Sequence, residues 1–160
     1  MDTALRTNAS IENTLQKYAD TVYRIAFARV GNAYDAEDIM QEVFLRFIRR
    51  KPSFENEEHE KAWFIKVTVN CSKSLLSSPW RRRVKSTDEP FPSLDTEKSE
   101  TWYAVSTLSE KRRVIIHLFY YEDMSVADIS KAMGISLSSV KTELHRARQQ
   151  LKAILTDEEF

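Results

Sequence analysis

Ser138, Thr142, His145, Arg146 and Gln149 fall on one side of a helical repeat near the C-terminus, with Lys141 and Arg148 on one flank and Ser139 on the other. The chemistry open to them is hydrogen bonding. Short polar groups near a helix start can reach base edges, while flanking cations meet phosphates. The opposite side carries Val140, Leu144, Ala147 and Leu151 at the spacing of one packed face. Just upstream, Ser125 is placed to cap a short helix with Asp128 as its capping-box partner, and Gly134 supplies the left-handed residue that ends it. The second helix then starts between Ser136 and Ser138, so residues 124–148 predict a helix-turn-helix. A solvated helical hairpin would share this periodicity; the tight turn and the basic groups gathered on one helix favour DNA.

A second set of residues lies in the first half. On the stretch that begins at Asn32 and Asp35 and stops at Lys51-Pro52, Ala36, Ile39, Met40, Val43 and Phe47 suffice to pack one face. Phe44, Leu45 and Ile48 are left over, and Leu45 stands among Asp38, Gln41, Glu42 and Arg49. An apolar residue ringed by charge is the pattern of a protein contact, although single exposed leucines are common. The next helix, expected over 59–77, has Lys66, Asn70, Lys73 and Ser77 along one side and Trp63 at its upstream edge. Cations, an amide and an aromatic in a row suit a single nucleic-acid strand. Core packing is the commoner fate of a helical Trp, and solvation that of Lys66 and Lys73. Cys71 and His117 read as core residues, and His59 as a surface one.

The elements that must position these groups are helical throughout. The chain has 160 residues with only two glycines and four prolines. Ile11, Leu15, Tyr18, Val22 and Ile25 mark a first amphipathic helix after a Ser10 cap. A short helix over 101–107 and a longer one after Ser109, with Ile115, Leu118, Phe119 and Glu122 in register, precede the helix-turn-helix. Between the halves, 79–100 is polar and proline-containing and reads as a flexible linker. The expected fold class is all-α: two small helical domains, 1–78 and 101–160, the second containing the helix-turn-helix. Net charge is zero, but basic and acidic clusters are segregated along the chain. The single Cys71 rules out an internal disulfide and a cysteine-based metal site. No apolar run approaches the roughly 20 residues needed to cross a bilayer, and no signal-peptide pattern opens the chain, so a cytoplasmic protein without membrane insertion is expected.

Three segments together resemble a bacterial RNA polymerase sigma factor of the extracytoplasmic-function group. They are Asp35-Ala-Glu-Asp-Ile-Met-Gln-Glu-Val-Phe44, Ala62-Trp-Phe-Ile-Lys-Val-Thr-Val-Asn70, and Leu108-Ser-Glu-Lys-Arg-Arg with Val140-Lys-Thr-Glu-Leu-His-Arg-Ala-Arg148. The resemblance spans about 15–155 and keeps the family's order and spacing. It implies that 1–78 is a region 2 domain and 101–160 a region 4 domain. Asp38, Gln41 and Glu42, with Leu45 beside them, would bind the clamp helices of the polymerase's largest subunit. The loop 54–60 would capture a flipped base of the minus-ten element and Asn70 would help hold that element; Trp63, Lys66 and Lys73, from the polar side of the same helix, are the further contacts expected with that strand. Ser138, Ser139, Lys141, Thr142, His145, Arg146 and Arg148 would contact the minus-thirty-five element. Implied partners are core RNA polymerase, promoter DNA and an anti-sigma factor. Catalysis and metal ions would belong to the polymerase, so neither enzymatic activity nor a cofactor is expected of the chain.

This sequence departs from the family's pattern in places. Glu143 stands where many relatives carry a basic residue, Ser139 stands where Thr is usual, and 71–74 differ from the acidic-then-basic pair that often follows Asn70. Altered phosphate contact, with binding retained, is the expectation for Glu143. Two other readings use the same helix-turn-helix. A stand-alone regulator would bind duplex operators without polymerase, and a recombinase would need a catalytic nucleophile and arginine cluster that the first half does not offer.

Overall fold

The computed structural model describes residues 2–76 and 103–159, with side chains over 9–75 and 103–155. The described residues contain helices and turns and no strand. In the first half, α1 (Asp2–Val30), α2 (Ala33–Arg50) and α3 (Glu57–Leu76) pack pairwise on one another. In the second, one helical turn at 103–106 leads to α4 (Glu110–Ile116), a π-helical turn (His117–Tyr121), α5 (Val126–Met133) and α6 (Leu137–Glu159). The tether expected over 79–100 lies outside the described residues.

Local chemistry sets most of the boundaries. Asn32 caps α2 by accepting the Asp35 N–H at 2.8 Å, and its own amide donates to the Asp35 carboxylate at 2.7 Å. Lys51 closes the same helix in the left-handed region at φ 45°, donating to the Phe47 carbonyl, and Pro52 prevents any continuation. Ser109, Ser125 and Ser136 each accept an N–H three residues on, at 3.3, 3.1 and 3.1 Å. Gly134, at φ 67°, ends α5 as its lack of a Cβ permits.

Two expectations are corrected. The first helix begins at Asp2, not at Ser10, whose carbonyl instead accepts the Thr14 hydroxyl inside the helix. Residues 2–9 contain no Gly or Pro to stop it, so the helix extends beyond its packed face. The helix after Ser109 does not keep α register as far as Glu122. From His117 it widens, with the Glu122 N–H donating to the His117 carbonyl, five residues back, at 3.2 Å. The wider turn keeps Leu118 fully buried and brings Glu122 to Lys61 on α3, 3.1 Å away.

One core lies within the first half: Tyr18, Val22, Phe27, Ile39, Val43, Phe64, Val67 and Cys71. The other is shared. Ile25 of α1 and Ile65 and Val69 of α3 are buried with Val114, Ile115, Leu118, Ile129, Met133, Val140 and Leu144. The second apolar face of α3 therefore packs on the helix-turn-helix half. Polar ties follow the same seam. Arg113 donates from Nε to the Ala28 carbonyl at 2.7 Å and from Nη2 to the Arg29 carbonyl at 3.0 Å. Lys73 Nζ donates to the Met133 carbonyl at 2.6 Å.

His117 lies in this seam, stacked on Tyr121 at 4.9 Å. Burial, with Arg24 nearby, pushes its pKa down to about 4. The Glu122 carboxylate, 3.9 Å away, is beyond hydrogen-bonding distance and does not restore the charged form. The unfolded chain binds this proton near pH 6.5 and the folded chain only near 4. Stability from the neutral ring is thus complete above about pH 6.5 and falls on acidification toward 4, by at most about 3 kcal/mol. His117→Phe should flatten that part of the pH dependence in urea melts at pH 7 and 4.5. Parallel losses in both proteins would show that His117 does not titrate this way.

Candidate nucleic-acid interface

Packing decides which side of α2 remains free. Ala36, Ile39 and Val43 are buried, and Met40, Phe44 and Phe47 lean on the same core. Asp38 and Gln41 are exposed. Leu45 and Ile48, three residues apart on one face, are 42% and 40% exposed. Glu42 is half-buried and accepts from Arg46 Nε at 3.1 Å. Sequence reasoning noticed Ile48 as surplus but did not join it to Leu45, although the i, i+3 spacing carries that signal.

The loop before α3 is built by two hydrogen bonds and two ring contacts. The Glu55 N–H donates to His59 Nδ1 at 3.2 Å, and the His59 N–H donates to Asn56 Oδ1 at 2.8 Å. Phe54 lies edge-on to His59 at 5.4 Å and to Trp63 at 6.1 Å. His59 is therefore part of the loop's framework as well as an exposed residue. Trp63 is half-buried, in edge contact with Phe47 at 5.9 Å and Phe64 at 5.0 Å. It is partly core and partly surface.

Along α3, Lys66 and Asn70 are exposed one turn apart. Lys73, one turn further, is half-buried and spent on the Met133 carbonyl; burial, with Arg29 and Lys111 nearby, lowers its pKa. The row of predicted strand contacts is thus open at Lys66 and Asn70 and covered at Lys73. Between α3 and α5 runs a cleft of about 520 Å³ in which His59, Lys61 and Lys66 face Glu122, Asp123 and Asp128. Cys71 is buried, which raises its thiol pKa, and no metal-holding cluster occurs among the described residues.

On α6, Val140, Leu144 and Ala147 are buried and turn the polar side outward. Ser138, Lys141, Thr142, His145 and Arg146 are exposed, and Ser139 is half-buried at the capped N-terminus. Arg148 is exposed but engaged: Nε donates to the Tyr120 hydroxyl at 2.6 Å and the guanidinium lies over the Phe119 ring at 5.1 Å. Glu143 is held by Arg112, whose Nε donates to its carboxylate at 2.7 Å. Sequence reasoning had no signal for these partners, which are 28 and 31 residues distant.

Comparison with known proteins gives one answer along most of the chain. The family model "Sigma-70 region 2" matches residues 14–82, and "Sigma-70, region 4" matches residues 100–151. RNA polymerase sigma factor SigV of Bacillus subtilis is 29% identical over 160 residues, covering 96% of each chain. ECF RNA polymerase sigma factor SigE of Mycolicibacterium smegmatis is 28% identical over 159 residues, which are 91% of this chain and 62% of that one. In fold, the chain is similar to sigma factor RpoE of Bartonella quintana, solved with anti-sigma factor NepR. That likeness has a TM-score of 0.74 at 20% identity, over 94% of this chain and 97% of the other.

The loop 54–59 yields a local test. His59→Ala removes the acceptor of the Glu55 N–H and the edge on which Phe54 rests. Amide exchange at Glu55 should accelerate about tenfold, the equivalent of one hydrogen bond of about 1.4 kcal/mol, while the urea midpoint holds. Unchanged exchange at Glu55 would mean that His59 does not order this loop.

Proposed function

The chain belongs to the extracytoplasmic-function group of the sigma-70 family, and we propose that it binds core RNA polymerase and directs it to promoters built of two elements. The first half docks on the polymerase through Asp38, Gln41, Glu42 and Leu45 of α2. It captures unpaired non-template bases at the minus-ten element with residues 54–60, the loop and first turn of α3, and with Trp63, Lys66 and Asn70, joined by Lys73 once its bond to the Met133 carbonyl is released. The second half sets α6 in the major groove of the minus-thirty-five element, where Ser138, Ser139, Lys141, Thr142, His145, Arg146 and Arg148 face the duplex. Base capture offsets the few kcal/mol, roughly, that unpairing and unstacking a flipped base costs. The chain does no bond-making, and its site of action is the cytoplasm, where the polymerase works. Family membership also supports an anti-sigma factor as a partner.

One observation carries this reading: a single chain presents both a charge-ringed apolar face on α2 and an outward polar face on α6. A stand-alone operator-binding regulator would use only the second. Zero net charge suits the proposal as well, because a factor that depends on the polymerase benefits from weak electrostatic attraction to DNA by itself.

Leu45→Asp should abolish co-elution with purified core enzyme and leave circular dichroism unchanged; retained co-elution would refute docking through this face. Asn70→Ala should reduce run-off transcription about tenfold from a duplex promoter and far less from one already mismatched over the minus-ten element. Equal losses on both templates would remove Asn70 from melting.

A further inference from the structure

Glu143 sits on α6 three residues before Arg146, on the flank of the polar face. One carboxylate oxygen, Oε2, accepts from Arg112 Nε at 2.7 Å, and the other, Oε1, lies 3.6 Å from Arg146 Nη1. The Glu143 side chain is only 16% exposed, whereas that of Arg146 is 59% exposed. Arg112 is fixed in turn: Nη1 donates to Gln150 Oε1 at 3.3 Å, and Gln150 Nε2 donates to the Thr107 carbonyl at 3.3 Å. The carboxylate is therefore anchored from behind by α4 and offers its remaining oxygen to a guanidinium at the surface. The hydrogen bond from Arg112 also holds the Glu143 carboxyl below the usual carboxylate range, so it stays charged at neutral pH.

We propose that Glu143 is a positioning residue for promoter reading: clamped by Arg112, it holds the Arg146 guanidinium in one orientation, ready for a single base pair of the upstream element. The inference rests on the sigma-factor reading above. A free arginine side chain loses its rotamer freedom when it docks, and a carboxylate behind it settles part of that loss beforehand. Nη1 lies at ion-pair distance from Glu143, which leaves the Nε–Nη2 edge for bidentate contact, the geometry that selects guanine O6 and N7. Partial neutralisation has a second consequence. Arg146 next to a carboxylate is a weaker phosphate ligand, so nonspecific attraction falls relative to base reading. Glu143 thereby exchanges affinity for discrimination.

The test uses holoenzyme reconstituted from the full chain and bacterial core polymerase. The probes are duplexes carrying the promoter upstream of the chain's own gene, with each minus-thirty-five base pair varied in turn, and one scrambled duplex. Glu143→Gln should tighten binding to the scrambled duplex and steepen its salt dependence by about one unit of slope. It should also lower discrimination at one base pair about tenfold. In an Arg146→Ala background the same change should alter neither quantity, and Arg112→Gln should lower discrimination at that same base pair. Uniform weakening on every duplex, with a lower melting temperature, would make Glu143 a structural residue only and overturn the proposal. So would unchanged discrimination in a holoenzyme that assembles and transcribes normally. Failure of the wild-type chain to assemble with core enzyme would instead sink the sigma-factor reading beneath it.

Discussion

Two helix C-termini, each satisfied by a cation from the opposite half, hold this molecule in its described arrangement. The last carbonyls of a helix have no partner inside it, and they carry the negative end of its dipole. At the end of α1, Ala28 and Arg29 offer such carbonyls, and Arg113 of α4 takes both. At the end of α5, Met133 offers one, and Lys73 of α3 takes it. The exchange is reciprocal, one cation and one helix end from each side. Arg113 also donates to the Leu108 carbonyl at 3.0 Å, so its fork spans the seam and the approach to its own helix. Burial lowers its pKa, with Glu110 opposing that shift. Hydrogen bonds to charged groups contribute about 1.5–3 kcal/mol each, and removing the cation would leave carbonyls buried without partners.

This arrangement depends on apolar contact as much as on charge. Ile25, Ile65 and Val69 are buried among residues of the helix-turn-helix half, so part of the second core is supplied by the first. The cations are placed at the rim of that contact, where their stems pack and their heads find carbonyls. Because the acceptors are neutral carbonyls, salt should screen these ties less than it screens the Lys61–Glu122 ion pair, whose lysine side chain is 44% exposed.

What the sequence disclosed follows the distance over which each interaction acts. Caps were legible because they are made within three residues: Asn32 with Asp35, and Ser125 with Asp128. The packed face of α6 was legible because Val140, Leu144 and Ala147 obey one period. The π turn was not, since Ile115, Leu118 and Phe119 satisfy α periodicity equally well, and the Lys61 that Glu122 meets is on another helix, 61 residues away in sequence. The burial of Ile65 and Val69 against the second half was not legible either, because no pattern within α3 says which helix covers them. Among the candidate site residues, exposure of Lys66, Asn70 and Arg146 follows from helical phase. The engagement of Lys73 with a carbonyl 60 residues away, and of Arg148 with Tyr120, does not.

That difference bears on how the two surfaces proposed to meet DNA relate. The polar side of α6 faces away from the seam, since its packed side is occupied by the second core. The polar row on α3 has no such freedom, because α3 places one face in each core and only a narrow polar strip remains between them. Lys73 stands where that strip runs into the seam, and a cation there is drawn to whichever acceptor is nearer: a helix end of the second half, or a phosphate if the halves part. Across the cleft the Glu122 carboxylate acts in the same sense on Lys61, 3.1 Å away. If α3 binds a single strand and α6 a duplex, as proposed, Lys73 could join the strand only with the Met133 carbonyl released, whereas the polar side of α6 needs no such release.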